Sequence, residues 1–432
     1  MSSSSRLDDG PTGSRGIALA TWGLFVGLAL LMMAGGLFST LLGVRSEQIG
    51  LPTVVSSLIS AAYYVGFLAG SVLTLRGLRA VGHIRVYAAL ASLLAAAIVA
   101  VGITDDASAW IFLRLVTGLC FAGLYVVAES WLNDLADNDR RGRLLAVYGV
   151  ITIAFYGVGQ VSVSLFNPLL VTGFAVAAVV TSLAVAPVAL SEAAIAPRID
   201  TATPISLREL SKIVPTGVYS CFLVGIAHGA ISGMAAVYAT RVHLGLVGLF
   251  VALPSIGSVV LQWPISSTSD EIDRRAVGVV ASLCAAGAAG LMLLDSPHKP
   301  MAFLLFTLVG GFSYPLYSVS GAYTNDWIEP EHLNGAAAQL VKMYGLGAIA
   351  GPILAGAAMG LIGPTGFPWA LLVMHLVIAG FFFYRFLTWR APLAKRPWSE
   401  VSLPARAFYV PATIVHVGRR GVSRRRARRD VS

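Results

Sequence analysis

Long apolar stretches separated by short polar ones run along most of this chain. No charged residue falls between Gly16 and Val44, none between Leu51 and Leu75, and none over the roughly 48 residues from Leu144 to Ser191. A helix of about 20 residues crosses the hydrocarbon of a bilayer at 1.5 Å per residue. The longest stretch therefore holds two crossings, with Asn167-Pro168 as the break. Read this way, the pattern predicts twelve transmembrane helices, at 17–42, 52–75, 86–103, 109–132, 144–166, 170–190, 214–238, 247–268, 277–294, 302–325, 335–361 and 368–387. The first follows a polar, mildly basic leader and is too long for a signal-peptide core, so it reads as an uncleaved span.

The second half of the pattern repeats the first. Leu124-Tyr125 through Asn133-Asp134 recurs with the same spacing as Leu316-Tyr317 through Asn325-Asp326, and Gly118 recurs as Gly310, a shift of about 192 residues. Six spans per repeat is an even number, so the two halves share one orientation; an odd number would invert them. The predicted fold is an all-α integral membrane protein of two six-helix bundles related by a pseudo-two-fold parallel repeat. Its parts are a leader at 1–16, a bundle at 17–190, a central loop at 191–213, a second bundle at 214–389 and a basic tail at 390–432. Within the loop, Ser206 to Lys212 has the pattern of a short amphipathic helix on the membrane surface.

Composition agrees. The 432 residues are 56% hydrophobic and 12% charged, against about 25% charged in a soluble domain. Mean hydropathy is +0.78. With the N-terminus inside, cytoplasmic segments hold about 25 of the 30 basic residues, and the opposite loops hold Arg45, Arg241 and Lys299. That asymmetry predicts a multi-pass protein of the inner or plasma membrane with both termini cytoplasmic. The net charge of +9 comes mostly from the tail, which ends in seven arginines between Arg419 and Arg429. Such a tail either binds a partner or nucleic acid, or lies against anionic lipid at about 1 kcal/mol per basic residue. The lipid reading is preferred, and no nucleic-acid partner is expected.

Cys120, Cys221 and Cys284 all fall in apolar spans without metal-ligand spacing, as packing residues do. No G-x-x-x-x-G-K-[ST] or H-E-x-x-H motif occurs, so no metal or cofactor is expected and any work would draw on a gradient. On span 4, Arg114, Gly118, Phe121, Tyr125 and Glu129 step by three or four residues and share one face within about 80°. At the same shift span 10 carries Gly310, Ser313, Tyr317, Gly321 and, partnering Asn133, Asn325, with Tyr314 alongside. A charge within a span normally faces a cavity or a partner, so Arg114 is either a substrate or gate contact or a helix-capping arginine. Glu129 either binds protons or pairs with Arg140, Arg141 or Arg143 at a cytoplasmic gate, with Lys342 a further partner. His228 either carries a proton or is simply hydrogen-bonded; His375 reads as structural. Gln160, Gln262 and Gln339 suit hydrogen bonds between helices, with one or two touching substrate.

Several elements together resemble the major facilitator superfamily, in particular its YcaD-like branch. They are Arg114-Leu-Val-Thr-Gly118, Glu129-Ser-Trp-Leu-Asn133, Arg141-Gly142-Arg143, Gln262-Trp263-Pro264-Ile265 with Asp270 to Arg275 behind it, and Gly347 with Gly351-Pro352. The similarity covers about Gly16 to Thr388. In the loop after span 2, Arg79 stands where the superfamily usually has aspartate, and Asp273 replaces a glycine in the loop after span 8. The resemblance implies a cavity lined by spans 1, 4, 7 and 10, bringing in Arg114, Phe121, Tyr125, His228, Tyr314, Tyr317 and Asn325. It implies gating or proton coupling by Glu129, Arg141, Arg143, Asp270, Arg274, Arg275 and Lys342. The implied activity is secondary active transport of a small solute by alternating access, coupled to protons or a counter-solute, in a monomer that is not an enzyme. The alternative is a transporter-like sensor or scaffold that signals through its tail. Membrane enzymes carry clustered His or Asp, and channels carry rings of like charge; neither pattern occurs here.

Overall fold

The computed structural model describes residues 14–135, 138–190, 205–294 and 299–389. The expectations for the leader up to residue 13, for residues 191–204 and for the basic tail lie outside the described residues. Twelve helices are long and apolar enough to cross a membrane, and no strand occurs among the described residues. Those used below are span 1 (Trp22–Gln48), span 2 (Thr53–Val81), span 4 (Ala107–Leu132), span 5 (Val147–Leu165), span 7 (Pro215–Arg241), span 8 (Val247–Glu271), span 10 (Pro300–Asn325), span 11 (Leu333–Ile362) and span 12 (Gly366–Thr388).

Spans 1 and 2 run several residues past the expected ends at 42 and 75. The charges of Arg45, Glu47, Arg76 and Arg79 mark where apolar surroundings stop, and a helix can carry them onward into the polar zone. Span 2 ends instead at Gly82, whose φ of 83° favours glycine and whose N–H bonds the Leu78 carbonyl. The break after span 5 falls where Asn167-Pro168 predicts it: a short 3-10 turn at Ser162–Leu165 precedes it, and Asn167 Oδ1 accepts from the Leu169 amide. The short helix expected near Ser206 forms as Leu207–Ile213, with the Ser206 hydroxyl accepting from the Glu209 amide at 3.1 Å. This is the N-cap arrangement serine favours.

The apolar residues divide into two buried cores. One draws on residues from Leu24 to Val188, the other on residues from Ile205 to Phe382, with Tyr64 reaching across from the first half. Large apolar side chains such as Val72, Leu93, Val280 and Val377 lie on the outside, where lipid tails rather than water receive them. Within each half the closest helix pairs meet at glycines that the repeat places in register. Gly118 lies against the Tyr63 carbonyl and Gly310 against Pro254; Gly159 meets Met33 and Gly351 meets Ile226. Backbones can approach this closely only where a Cβ is missing.

Candidate functional site

The cavity begins with Gly118. Because span 2 comes up against that glycine, Tyr63 is carried beside Arg114, one turn earlier on span 4. The Arg114 guanidinium lies 4.6 Å from the Tyr63 ring centre and 5.5 Å from that of Phe38. Arg114 is only 7% exposed, and among the described residues its side chain makes no ion pair and no hydrogen bond; its Nε is fully buried. A buried arginine costs about 2.5–3.5 kcal/mol on insertion scales, and desolvated ring faces return about 2 kcal/mol. The rings thus offset part of the cost. Arg114 lines both lobes of a cavity between the halves, together with Ser39, Ser60, Tyr156 and Ser232. Empty space in the first lobe is about 690 Å³, open solvent included. Gln160 and Ser56 also line that lobe, and Gln160 Oε1 and Ser56 Oγ are buried without hydrogen-bond partners.

The second lobe is aromatic. Phe121 and Tyr125 line it with Tyr63 and Tyr64. The Tyr63 and Tyr64 rings meet edge to face at 5.4 Å, and Tyr63 meets Phe121 at 6.2 Å. The Tyr125 hydroxyl is 3.0 Å from Met32 Sδ.

Across the cavity, span 10 is broken into Lys299–Ser313 and Pro315–Asn325. Pro315 has no N–H and its ring crowds the preceding turn. The Tyr317 amide turns to the Tyr314 carbonyl at 3.4 Å, while the Ser313 carbonyl accepts from His228 Nε2 at 3.0 Å. A carbonyl only accepts, so Nε2 carries the proton, and in the neutral ring Nδ1 accepts from the Tyr344 hydroxyl at 3.0 Å. His375 Nδ1 donates to the Leu371 carbonyl, and its Nε2 takes the Ser313 hydroxyl at 2.8 Å. Ser313 thus ties spans 7 and 12 to the break. Tyr314 faces the cavity and Tyr317 packs edge to face on Tyr344 at 4.9 Å. Tyr317 and Asn325 are buried.

Charged clusters occupy the two ends. At the face where spans 1 and 2 join, outer on the charge-based expectation, Arg241 of span 7 makes two bonds to Glu47 of span 1, at 2.6 and 2.7 Å, and a third to Thr53 of span 2. This cluster joins the two halves. At the opposite end of span 4, Glu129 is buried and accepts from Tyr148 at 3.4 Å. Arg274 sits between Asp270 at 3.1 Å and Asp326 at 2.7 Å, and Arg275 holds Asp273 at 2.7 Å plus the carbonyls of Arg385 and Trp389. Lys342 is exposed. The side chains of Arg141 and Arg143 lie outside the described residues. Arg79 is exposed, and among the described residues no ion pair joins it.

The Major Facilitator Superfamily sequence profile matches this chain twice, over residues 24–247 and 218–428. The chain belongs to the Major Facilitator Superfamily. An uncharacterized MFS-type transporter YcaD of Salmonella arizonae is 27% identical over 339 residues, covering 76% of this chain and 86% of the relative. In structure, the nucleoside transporter NupG superposes with a TM-score of 0.72 at 14% identity, over 85% of this chain and 100% of NupG. A bacterial homolog of the human lysosomal transporter Spinster gives a TM-score of 0.67 at 13% identity, over 91% of this chain and 97% of the other. The chain is thus a multi-pass membrane protein of a transporter family, with the fold of two like-oriented six-helix bundles.

Within that family fold, spans 2, 5 and 8 join spans 1, 4, 7 and 10 in walling the cavity. Tyr63 and Tyr64 were legible only as an adjacent aromatic pair in span 2. Tyr156 stands one turn before Gln160 in a span otherwise free of charge, a polar stripe that could have marked span 5. The Glu47–Arg241 pair was signalled by opposite charges at matching ends of spans 1 and 7. Asp326 is the repeat partner of Asp134, one residue beyond Asn325.

Proposed function

We propose that this protein is a secondary active transporter, not an enzyme, and that it moves a small solute across the inner membrane by alternating access. Both termini are cytoplasmic, and the protein works as a monomer. The observation that carries this reading is an inter-half cavity closed at one end by an ion pair drawn from both halves. In such an arrangement the Glu47–Arg241 contact holds the outer face shut, and the two bundles rock about Arg114 and the tyrosines when it parts. Glu129 couples the cycle to protons: it is the buried carboxylate of span 4, one turn beyond Tyr125, and its ionisation alters the charge between cavity and inner face.

The test is flux in proteoliposomes with an imposed pH gradient, comparing wild type with Glu129→Gln over a solute panel. The expected result is gradient-driven accumulation by wild type, lost in Glu129→Gln, while solute exchange without a gradient survives. Accumulation unchanged in Glu129→Gln would assign that carboxylate a purely structural part. Absence of any flux or exchange would end the transporter reading.

A further inference from the structure

The cavity has an unbalanced charge. Arg114 lines both lobes, and no Asp or Glu lines either one. Its Nε is buried without a hydrogen-bond partner, and so is Gln160 Oε1 in the same cavity. One is a donor without an acceptor, the other an acceptor without a donor. Serine hydroxyls and tyrosines make up much of the remaining polar lining, and rings of Tyr63, Phe121 and Tyr125 make up the apolar wall.

We propose that the cavity binds a small organic monoanion: a carboxylate seated on Arg114, with a hydroxyl or similar donor directed at Gln160 Oε1 and an apolar body against the aromatic lobe. Guanidinium matches carboxylate geometry through two parallel N–H donors, and Nε with one Nη forms such an edge. A single cation neutralises one negative charge. A dianion leaves a charge over in a low-dielectric cleft, and an amine or a zwitterion brings an ammonium that no lining carboxylate meets. Neutral solutes leave Arg114 as unpaired as before. This assignment rests on the transport reading of the cavity and names its substrate class.

Four compounds of one skeleton separate these cases: mandelate (anion with hydroxyl), mandelamide (neutral), phenylglycine (zwitterion) and phenylacetate (anion without hydroxyl). Binding is read as thermal stabilisation and calorimetric affinity of the purified full-length protein, and exchange is read in proteoliposomes. Mandelate is expected to bind about tenfold more tightly than mandelamide or phenylglycine, as the loss of one charge-assisted hydrogen bond predicts, with phenylacetate in between. Arg114→Gln is expected to remove the preference for the anion. Gln160→Glu, which places a carboxylate beside Arg114, is expected to weaken mandelate and admit phenylglycine; it serves also if Arg114→Gln fails to fold, judged by gel filtration and melting without ligand.

Equal affinity for mandelate and mandelamide overturns the proposal, as does wild-type mandelate affinity in both variants or a failure of both monoanions, mandelate and phenylacetate, to bind. Arg114-dependent binding without exchange would end the transport reading while leaving the anion site. Exchange of mandelamide at the rate of mandelate would end the anion assignment and leave transport standing.

Discussion

His228 and His375 look alike in the sequence, each a lone histidine in an apolar span, and the structure gives them a common neighbour. His228 Nε2 holds the Ser313 carbonyl and His375 Nε2 holds the Ser313 hydroxyl. Buried backbone groups are almost always paired, and Pro315 disturbs the pairing in this turn of span 10, so His228 supplies the donor that the helix does not. Removing it leaves a buried carbonyl unsatisfied, at about 1–3 kcal/mol. We expect His228→Leu and His375→Leu each to lower the melting temperature. Because both act on one serine, the double variant should be non-additive by about 1 kcal/mol. Chemical denaturation of the four proteins gives the cycle. Strict additivity, or a His228→Leu protein of unchanged stability that has lost gradient-driven flux, would make His228 a proton carrier instead of a cap.

Among the elements, the junction of spans 8 and 10 with span 9 (Arg274–Leu294) shows how the repeat is bent to a local need. Arg274 is almost fully buried and reaches Asp326 at the end of span 10 and Asp270 at the end of span 8. The matching loop of the first half has Arg79 where the second has Asp270, so this acid is present in one half alone. Breaking a buried pair strands the remaining charge, at about 3–5 kcal/mol. Asp326 is fully buried while Asp270 retains some exposure. Asp326→Ala should therefore lower stability more than Asp270→Ala, read as melting temperature in detergent; the reverse order would place the weight on Asp270. The helices themselves were legible because apolar length and charge position follow directly from the thickness of the membrane, and the parallel halves followed from the 192-residue recurrence. Helix ends were less so, since span 2 stops at the conformation of Gly82 and not at its first charge. The cavity was legible where one helix face carries it, as with Arg114, Phe121 and Tyr125. Tyr63, Tyr156 and Glu47 left only partial signals, an aromatic pair, a polar stripe and opposite charges at span ends, because their neighbours are set by which helices pack together, and spacing along one helix does not contain that.

At the scale of the molecule, the Glu47–Arg241 pair can exist in only one arrangement of the halves. Span 1 and span 7 belong to different bundles, so a rocking motion that opens this face must pull the carboxylate from the guanidinium. An interaction present in one state biases the equilibrium by its own free energy and no more. Both side chains are partly exposed, so the pair is worth about 1 kcal/mol despite its two-pronged geometry, a shift of about fivefold in the ratio of states. Glu47→Gln should raise the fraction open at this face by about that factor, and higher ionic strength should act in the same direction, since screening weakens exposed pairs. Reactivity of a cysteine introduced at Ser60, toward an impermeant thiol reagent added outside, reports the open fraction once Cys120, Cys221 and Cys284 have been replaced. The decisive comparison is the exchange of charges, Glu47→Arg with Arg241→Glu. If the contact is a latch, the swap lowers reactivity back toward that of the parent while each single change raises it. If the contact is incidental, the single changes leave reactivity where it was, and this face is held shut by other contacts such as the hydrogen bond from the Ser60 hydroxyl to the Gly233 carbonyl.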